Sequence, residues 1–129
     1  MKPFSQIRGM FPVAVVGFAL GVAIAVLRGW GSPVVSAVVV NKSEQPLQSV
    51  TVKYTTCGGK GSIVGGVLLP GESRTFRYSV CGEGAYIIEA QFSDERTVRT
   101  RERYVESGHF STETISKNSI HTDQRTYAF

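Results

Sequence analysis

The N-terminal part of the chain differs from the rest in its pattern of hydrophobic and polar positions. The run from Met10 to Leu27 has no charged side chain, and its small-residue content includes Gly17 and Gly21. In α-helical geometry this run spans about 27 Å, close to the ~30 Å hydrocarbon core of a bilayer. A helix satisfies its backbone polar groups internally, as lipid requires. The pattern therefore predicts one transmembrane helix over residues 10–27.

Charges on either side of this run predict its orientation. Lys2 and Arg8 precede it, and Arg28 follows it. The positive-inside rule then places residues 1–9 in the cytoplasm and the rest of the chain beyond the inner membrane, in the periplasm or outside the cell. Trp30 follows directly, and an amphipathic ring is stable in the headgroup layer. We expect Arg8, Arg28 and Trp30 at the membrane interface, with residues 28–33 as a linker.

A cleaved signal peptide is the alternative for the same segment. Ala23-Ile-Ala25 has the small-residue form that signal peptidase accepts, and Val35-Ser-Ala37 is a second such site farther from the apolar run. We favour a retained anchor because the run reaches the minimum length of a span. Export of the following domain is expected in both cases.

After residue 33 the hydrophobic pattern changes to a period of two, which is typical of strands. Val50, Val52 and Tyr54 alternate with polar residues, and Phe76 and Tyr78 do the same. Turn residues separate the segments at fairly regular spacing. About seven short strands are predicted in residues 34–129, which favours a sandwich or barrel.

Two patches resemble a known class of module. They are Val38-Val-Val-Asn-Lys-Ser-Glu-Gln-Pro-Leu-Gln-Ser-Val-Thr-Val52 and Leu68-Leu-Pro-Gly-Glu-Ser-Arg-Thr-Phe76. Both are similar to small immunoglobulin-like β-sandwich modules of bacterial envelope proteins. The resemblance implies an all-β, immunoglobulin-like antiparallel sandwich of about seven strands, preceded here by one transmembrane helix. It implies no particular function, because one fold serves many functions.

The charge of the chain does not indicate nucleic-acid binding. The net charge is +4, from 14 Lys and Arg against 10 Asp and Glu. Lys2, Arg8 and Arg28 account for most of this excess, so the predicted sandwich is nearly neutral. Nucleic-acid binding usually needs a concentrated basic surface, and none is expected here.

Cys57 and Cys81 are the only cysteines. In an exported domain they are expected to form a disulfide. The alternatives are a thiol pair that handles a metal or exchanges electrons, and two free thiols. A redox pair normally has the Cys-x-x-Cys spacing, and a metal site needs further ligands nearby.

Arg99, Arg101 and Arg103 are the most notable charge feature. They would share one face of a strand predicted from Arg96 to Val105. Such a face is either a solvated, salt-bridged sheet surface or protected edge strand, or a docking surface for an acidic partner or anionic headgroups.

Other motifs fail as chemical sites. Gly58-Gly-Lys-Gly-Ser62 lacks the order of a phosphate-binding loop and is expected to be a glycine-rich connection. His109 and His121 have no acidic or cysteine neighbours at ligand spacing. Asn41-Lys-Ser43 matches the glycosylation pattern, although the bacterial character of the chain argues against modification.

The sequence therefore predicts no catalytic residue, metal or cofactor. It favours a non-catalytic accessory or assembly module that is anchored in the bilayer and binds an unidentified envelope protein through a sheet edge or the arginine face. The alternatives are a periplasmic protein that uses the thiol pair for metal or redox work, and a secreted structural domain released after Ala25.

Overall fold

The alternating pattern after residue 33 produces strands that assemble into two packed sheets. A computed structural model describes residues 4–27 and 33–126. The chain divides into two compact units, residues 1–32 and residues 33–129. In the described part of the second unit the strands are β1 Val34–Asn41, β2 Leu47–Thr56, β3 Gly59–Gly65, β4 Ser73–Ser79, β5 Glu83–Phe92, β6 Thr97–Arg99, β7 Arg103–Glu106, β8 His109–Ile115 and β9 Ile120–Thr126.

The first sheet has the order β4-β1-β8-β9, and the second has the order β3-β2-β5-β6, with β7 also paired to β5. All pairs are antiparallel except β1 with β8. The prediction of an all-β fold with two sheets is confirmed.

The immunoglobulin-like order implied by the resemblance differs from the order found. An immunoglobulin constant-type sandwich keeps its first two strands in one sheet, whereas β1 and β2 lie in different sheets here. The described residues form nine strands rather than about seven. Strand order depends on pairing between distant segments, which alternation alone does not encode.

Inward-facing side chains of both sheets form one hydrophobic core. The alternation predicted for β2 and β4 is the alternation found, since Val50, Val52, Phe76 and Tyr78 are all buried. The other buried members of this core are Val35, Ala37, Val39, Leu47, Leu68, Val80, Tyr86, Ile88, Ala90, Phe92, Val98, Val105 and Ile115.

The glycine-rich segment after Cys57 was expected to be a connection, yet most of it is strand. The turn itself consists of Cys57 and Gly58, and β3 begins at Gly59. Gly61 pairs with Tyr54, and a Cβ there would overlap the Tyr54 ring. A Cβ on Gly65 would lie 2.8 Å from Phe76 Cζ. The glycines let β3 lie directly on these aromatic rings.

The first unit contains α1, Phe4–Leu27, an α-helix of 24 residues that includes the predicted apolar segment. Its large apolar side chains between residues 13 and 24 are exposed; they are Val13, Val15, Val16, Phe18, Leu20, Val22 and Ile24. Across residues 4–27 and 33–126, no helix combines the length and apolar character needed to cross a membrane. The transmembrane assignment of residues 10–27 therefore stays a prediction.

Candidate functional site

The outward face of the second sheet is the most distinctive surface of the sandwich. Register places Lys60, Ser62 and Val64 of β3 on this face, beside Thr55, Lys53 and Thr51 of β2. The β5 residues Ala85, Ile87 and Glu89 continue the same rows. A concavity of about 520 Å³ lies on this face, and Lys53, Lys60 and Glu102 are among the residues that line it.

Charges on this face are organised around Glu89. Its carboxylate lies 2.6 Å from Lys53 Nζ and 3.6 Å from Arg99 Nε. Thr51 and Arg99 are the direct cross-strand neighbours of Glu89 in the ladder. Exposed ion pairs of this kind contribute little to stability, typically 0 to about 1 kcal/mol. Lys60 and Glu102 form no ion pair with another residue of the described chain.

The structure does not bring the three predicted arginines onto one face. Arg99 pairs with Glu89 on the outward face, whereas Arg103 pairs with Tyr86, whose side chain points into the core. Paired residues of a ladder share a face. Arg103 therefore lies on the inward side of the second sheet, at an end of the sandwich where its side chain is exposed to solvent. Arg101 lies in the connection between β6 and β7.

A bulge between β6 and β7 causes this change of face. The Thr100 N–H donates to Ile88 O at 2.9 Å, while the Ile88 N–H donates to Thr100 Oγ1 at 3.0 Å instead of to a backbone carbonyl. Two residues, Arg101 and Glu102, then occupy the space opposite Ile87. The one extra residue reverses which side chains face outward after the bulge, as is usual for β-bulges.

Cys57 and Cys81 form a disulfide, as predicted. Their Cα atoms are 6.0 Å apart, an ordinary separation for this bond. Cys57 lies in the β2–β3 turn and Cys81 in the connection from β4 to β5, so the bond joins segments of both sheets at one end of the sandwich. Both sulfurs are engaged, which leaves no free thiol for metal or redox work. In the described ranges, no group of three or more His, Cys, Asp or Glu side chains could hold a metal ion.

A buried glutamate in the core was missed by the sequence reasoning. Glu113 of β8 is fully buried. The Tyr86 hydroxyl donates to Glu113 Oε1 at 2.7 Å, and the Thr122 hydroxyl donates to Glu113 Oε2 at 2.6 Å. The sequence contains no signal for this position, because a glutamate in an alternating strand is expected on the solvent side.

Two tyrosines beside this carboxylate have raised pKa values. Burial raises the pKa of the Tyr78 phenol above its ordinary value, and the nearby Tyr86 and Glu113 raise it further. Burial also raises the pKa of Tyr86, with the hydrogen bond to Glu113 as the second cause. Tyr78 stacks on Tyr54 with ring centroids 4.7 Å apart. Both phenols stay protonated at neutral pH, so neither is poised to act as a base.

The two histidines, expected to be isolated, lie in different surroundings. His109 is buried, and its Nδ1 accepts a hydrogen bond from the Glu106 N–H at 3.1 Å. Its Nε2 lies 3.3 Å from the Glu106 carboxylate. His121 is exposed on β9. These contacts of His109 tie the β7–β8 turn together.

Asn41 is not an accessible glycosylation site. It is fully buried, and its side-chain amide donates to Gln45 O at 2.9 Å and Leu68 O at 3.0 Å. Ser43 donates to Asn41 Oδ1 through both its N–H and its hydroxyl. The Asn-x-Ser pattern is therefore a turn motif that closes the loop between β1 and β2.

The predicted membrane-interface residues cannot be placed in the same way. Arg28 and Trp30 lie outside the described residues, and so does the side chain of Arg8. Their role stays a prediction.

Comparison with known proteins supports the fold and goes no further. No family model and no curated protein matches the chain. A protein from Eubacterium rectale, solved by NMR, is similar over 75% of this chain and 93% of its own, with 10% identity and a TM-score of 0.53. A candidate cell adhesion protein from Bacteroides ovatus is similar over 72% of this chain and 44% of its own, with 12% identity and a TM-score of 0.39.

A third structure, described as a trapped toxin, is similar over 72% of this chain and 24% of its own, with 6% identity and a TM-score of 0.41. Identities this low show the fold alone.

Proposed function

We propose that this chain is a non-catalytic interaction module of the bacterial envelope. In this proposal residues 10–27 hold it in the inner membrane, residues 1–9 are cytoplasmic, and the sandwich lies in the periplasm or outside the cell. The sandwich binds an envelope protein through an exposed sheet edge or through the outward face of the second sheet.

The observation that carries the anchor is the exposure of α1. Phe18 and Val13 are 76% and 72% exposed, and the other large apolar side chains of this segment are exposed on all sides of the helix. Large apolar side chains exposed in this number are stable only when something apolar covers them, such as a lipid bilayer or a protein interior. The absence of charge from Met10 to Leu27 favours lipid as that cover.

Two further observations support an exported interaction module. A disulfide suits an oxidising compartment, and Cys57–Cys81 is such a bond. In the described residues no group of three or more His, Cys, Asp or Glu side chains could hold a metal ion, and the Glu113 carboxylate that accepts the Tyr86 and Thr122 hydroxyls is fully buried. A base that no substrate can reach favours binding over catalysis.

The anchor is tested by fractionation, protease protection and intact mass of the full chain. The proposal expects a membrane-bound protein that keeps its N-terminus, with the sandwich accessible from the periplasmic side only. A soluble protein whose mature chain begins after Ala25 would replace the anchor with the secreted alternative. A sandwich accessible only from the cytoplasm would overturn the orientation.

Interaction is tested by gentle solubilisation of native membranes followed by co-purification. The proposal expects a stoichiometric envelope protein to accompany the chain. An Asp123→Lys variant on β9 and a Glu89→Lys variant on the outward face of the second sheet change charge at two separate surfaces. Loss of the partner with only one of these variants identifies the surface used, while a chain that always purifies alone contradicts the proposed function.

A further inference from the structure

The free edge of β3 is the least protected sheet edge in residues 33–126. Natural sheet edges avoid pairing with other chains through charges, bulges, prolines or short strands. The β6–β7 edge is broken by the bulge, β4 carries Arg74 and Arg77, and β9 carries Asp123 and Arg125. In contrast, β3 pairs with β2 in unbroken register over all its residues and carries Lys60 as its one charge.

The hydrogen-bond pattern shows which backbone groups of β3 point to this edge. Ile88 of β5 exchanges hydrogen bonds with Thr100, on the β6 side. Residues of an antiparallel ladder alternate in the side to which their N–H and C=O point. The backbone groups of Ile87 therefore point to β2 and bond to Lys53, and those of Tyr54 point to β3 and bond to Gly61. The β3 residues that alternate with Gly61 turn their N–H and C=O groups to the free edge. These outward residues are Lys60, Ser62 and Val64.

The same three residues present their side chains on the outward face of the sheet. Val64 is 68% exposed, and Val67 and Leu69 in the following connection are each about half exposed. Lys60 has no ion-pair partner in the described part of the chain. One edge thus offers unpaired backbone groups, an apolar contact and, four residues away, an uncompensated positive charge.

We propose that a partner protein adds an extended segment antiparallel to β3, with an aliphatic residue opposite Val64 and, four positions later, an acidic residue opposite Lys60. Backbone hydrogen bonds supply affinity in such strand addition, and alternate side chains supply specificity. The inference rests on the proposed function and specifies the surface and the partner's chemistry.

A second copy of this chain is a poorer occupant. Antiparallel pairing of β3 with itself about Ser62 would set Lys60 opposite Val64 of the other copy. It would leave both lysines without an acidic partner, since β3 contains no Asp or Glu. The charge therefore favours a different protein.

The test uses the full chain in detergent micelles and the capped peptide Thr-Val-Thr-Ser-Thr-Glu-Thr, with a second peptide carrying Lys in place of Glu. Backbone amide shifts are followed by NMR during titration. The proposal expects shifts concentrated at Lys60, Ser62 and Val64, and tighter binding of the Glu peptide. Lys60→Glu should weaken the Glu peptide roughly fivefold and strengthen the Lys peptide. Ser62→Pro should abolish binding, because it removes an outward N–H.

Arg77→Glu makes the same charge change on the β4 edge and is the matched control, which should leave binding unchanged. Three results would each overturn the proposal. They are amide shifts on another sheet edge, an equal loss of peptide binding in Arg77→Glu, and pairing of β3 with itself as the protein concentration rises. Amide spectra of Lys60→Glu and Ser62→Pro that match the parent away from β3 show that folding is preserved. If a native partner still co-purifies with both folded variants, the β3 assignment fails while the proposed function stands. If no partner accompanies the parent chain, the proposed function fails whatever the peptides do.

Discussion

The Tyr86 hydroxyl donates a 2.7 Å hydrogen bond to Glu113 Oε1, and this bond crosses the core from the second sheet to the first. The carboxylate is fully buried and receives its other hydrogen bond from Thr122. A buried polar group is tolerated only while such hydrogen-bond partners are present. The core is therefore specified by a polar link as well as by apolar packing.

Removing this donor should be costly. Tyr86→Phe leaves one carboxylate oxygen of Glu113 without a partner, and we expect a loss of about 1.5–3 kcal/mol in the free energy of unfolding. Chemical denaturation of the full chain in micelles measures it. Tyr104→Phe, at an exposed phenol, is the control and should change stability by less than about 0.5 kcal/mol. Equal effects from both variants would contradict the importance of the Tyr86–Glu113 bond.

Alkaline pH should destabilise the sandwich through Tyr78 and Tyr86. Burial raises the pKa of both phenols above the ordinary value of 10.0 that applies in the unfolded chain. The unfolded chain therefore loses protons that the folded chain retains, so stability is complete below about pH 10 and falls as the pH rises above it. Denaturation midpoints across this range, with tyrosinate absorbance, measure the effect. Ionisation of both phenols near pH 10 in the still-folded protein would refute it.

The Gly84→Ala substitution should be strongly destabilising. A Cβ at this position overlaps the carbonyl oxygen of Thr55, which is fixed in the neighbouring strand β2. Relief requires backbone movement, at a cost of about 1–3 kcal/mol. Gly66→Ala is the matched control: its Cβ meets no atom within 4 Å, so the same change should be neutral or slightly stabilising. Thermal unfolding compares the two, and similar midpoints would contradict the close approach at Gly84.

Loss of the disulfide should destabilise the sandwich by about 3–4 kcal/mol. The two cysteines are 24 positions apart, and cross-linking them restricts the unfolded chain. Cys57→Ala with Cys81→Ala removes the bond without leaving a reactive thiol. Denaturation curves with and without reductant provide the measurement. Reductant should shift the parent curve and leave the double variant unchanged, while an unshifted parent curve would show that the bond contributes nothing.

The sequence predicted the elements better than their arrangement. Alternation located β2 and β4, and Val50, Val52, Phe76 and Tyr78 are buried as it predicts. It could not reveal that Thr100 accepts the Ile88 N–H through its hydroxyl. That bond creates the bulge, and the bulge separates Arg99 from Arg103. A single inserted residue reverses every later side chain, so the predicted arginine face was wrong for a local reason.

The buried Glu113 shows a second limit. The side of a strand that carries a charged residue is usually predicted to face solvent. In β8 the side that carries Glu113 faces the core instead. Tyr86, which accounts for this reversal, is 27 positions away along the chain. Only the packing of the two sheets brings donor and acceptor together.

The position of β1 in the middle of the first sheet has a mechanical consequence. The chain enters the sandwich at Val34, and β1 is held on one side by β4 and on the other by β8. Tension applied at the N-terminal side along β1 would shear both ladders at once, because their hydrogen bonds lie across the direction of pull. Peeling bonds one at a time, as from an edge strand, is not possible there. Single-molecule stretching from the N-terminus should therefore require more force than stretching from β9, and a domain tethered at this end is built to transmit tension without opening.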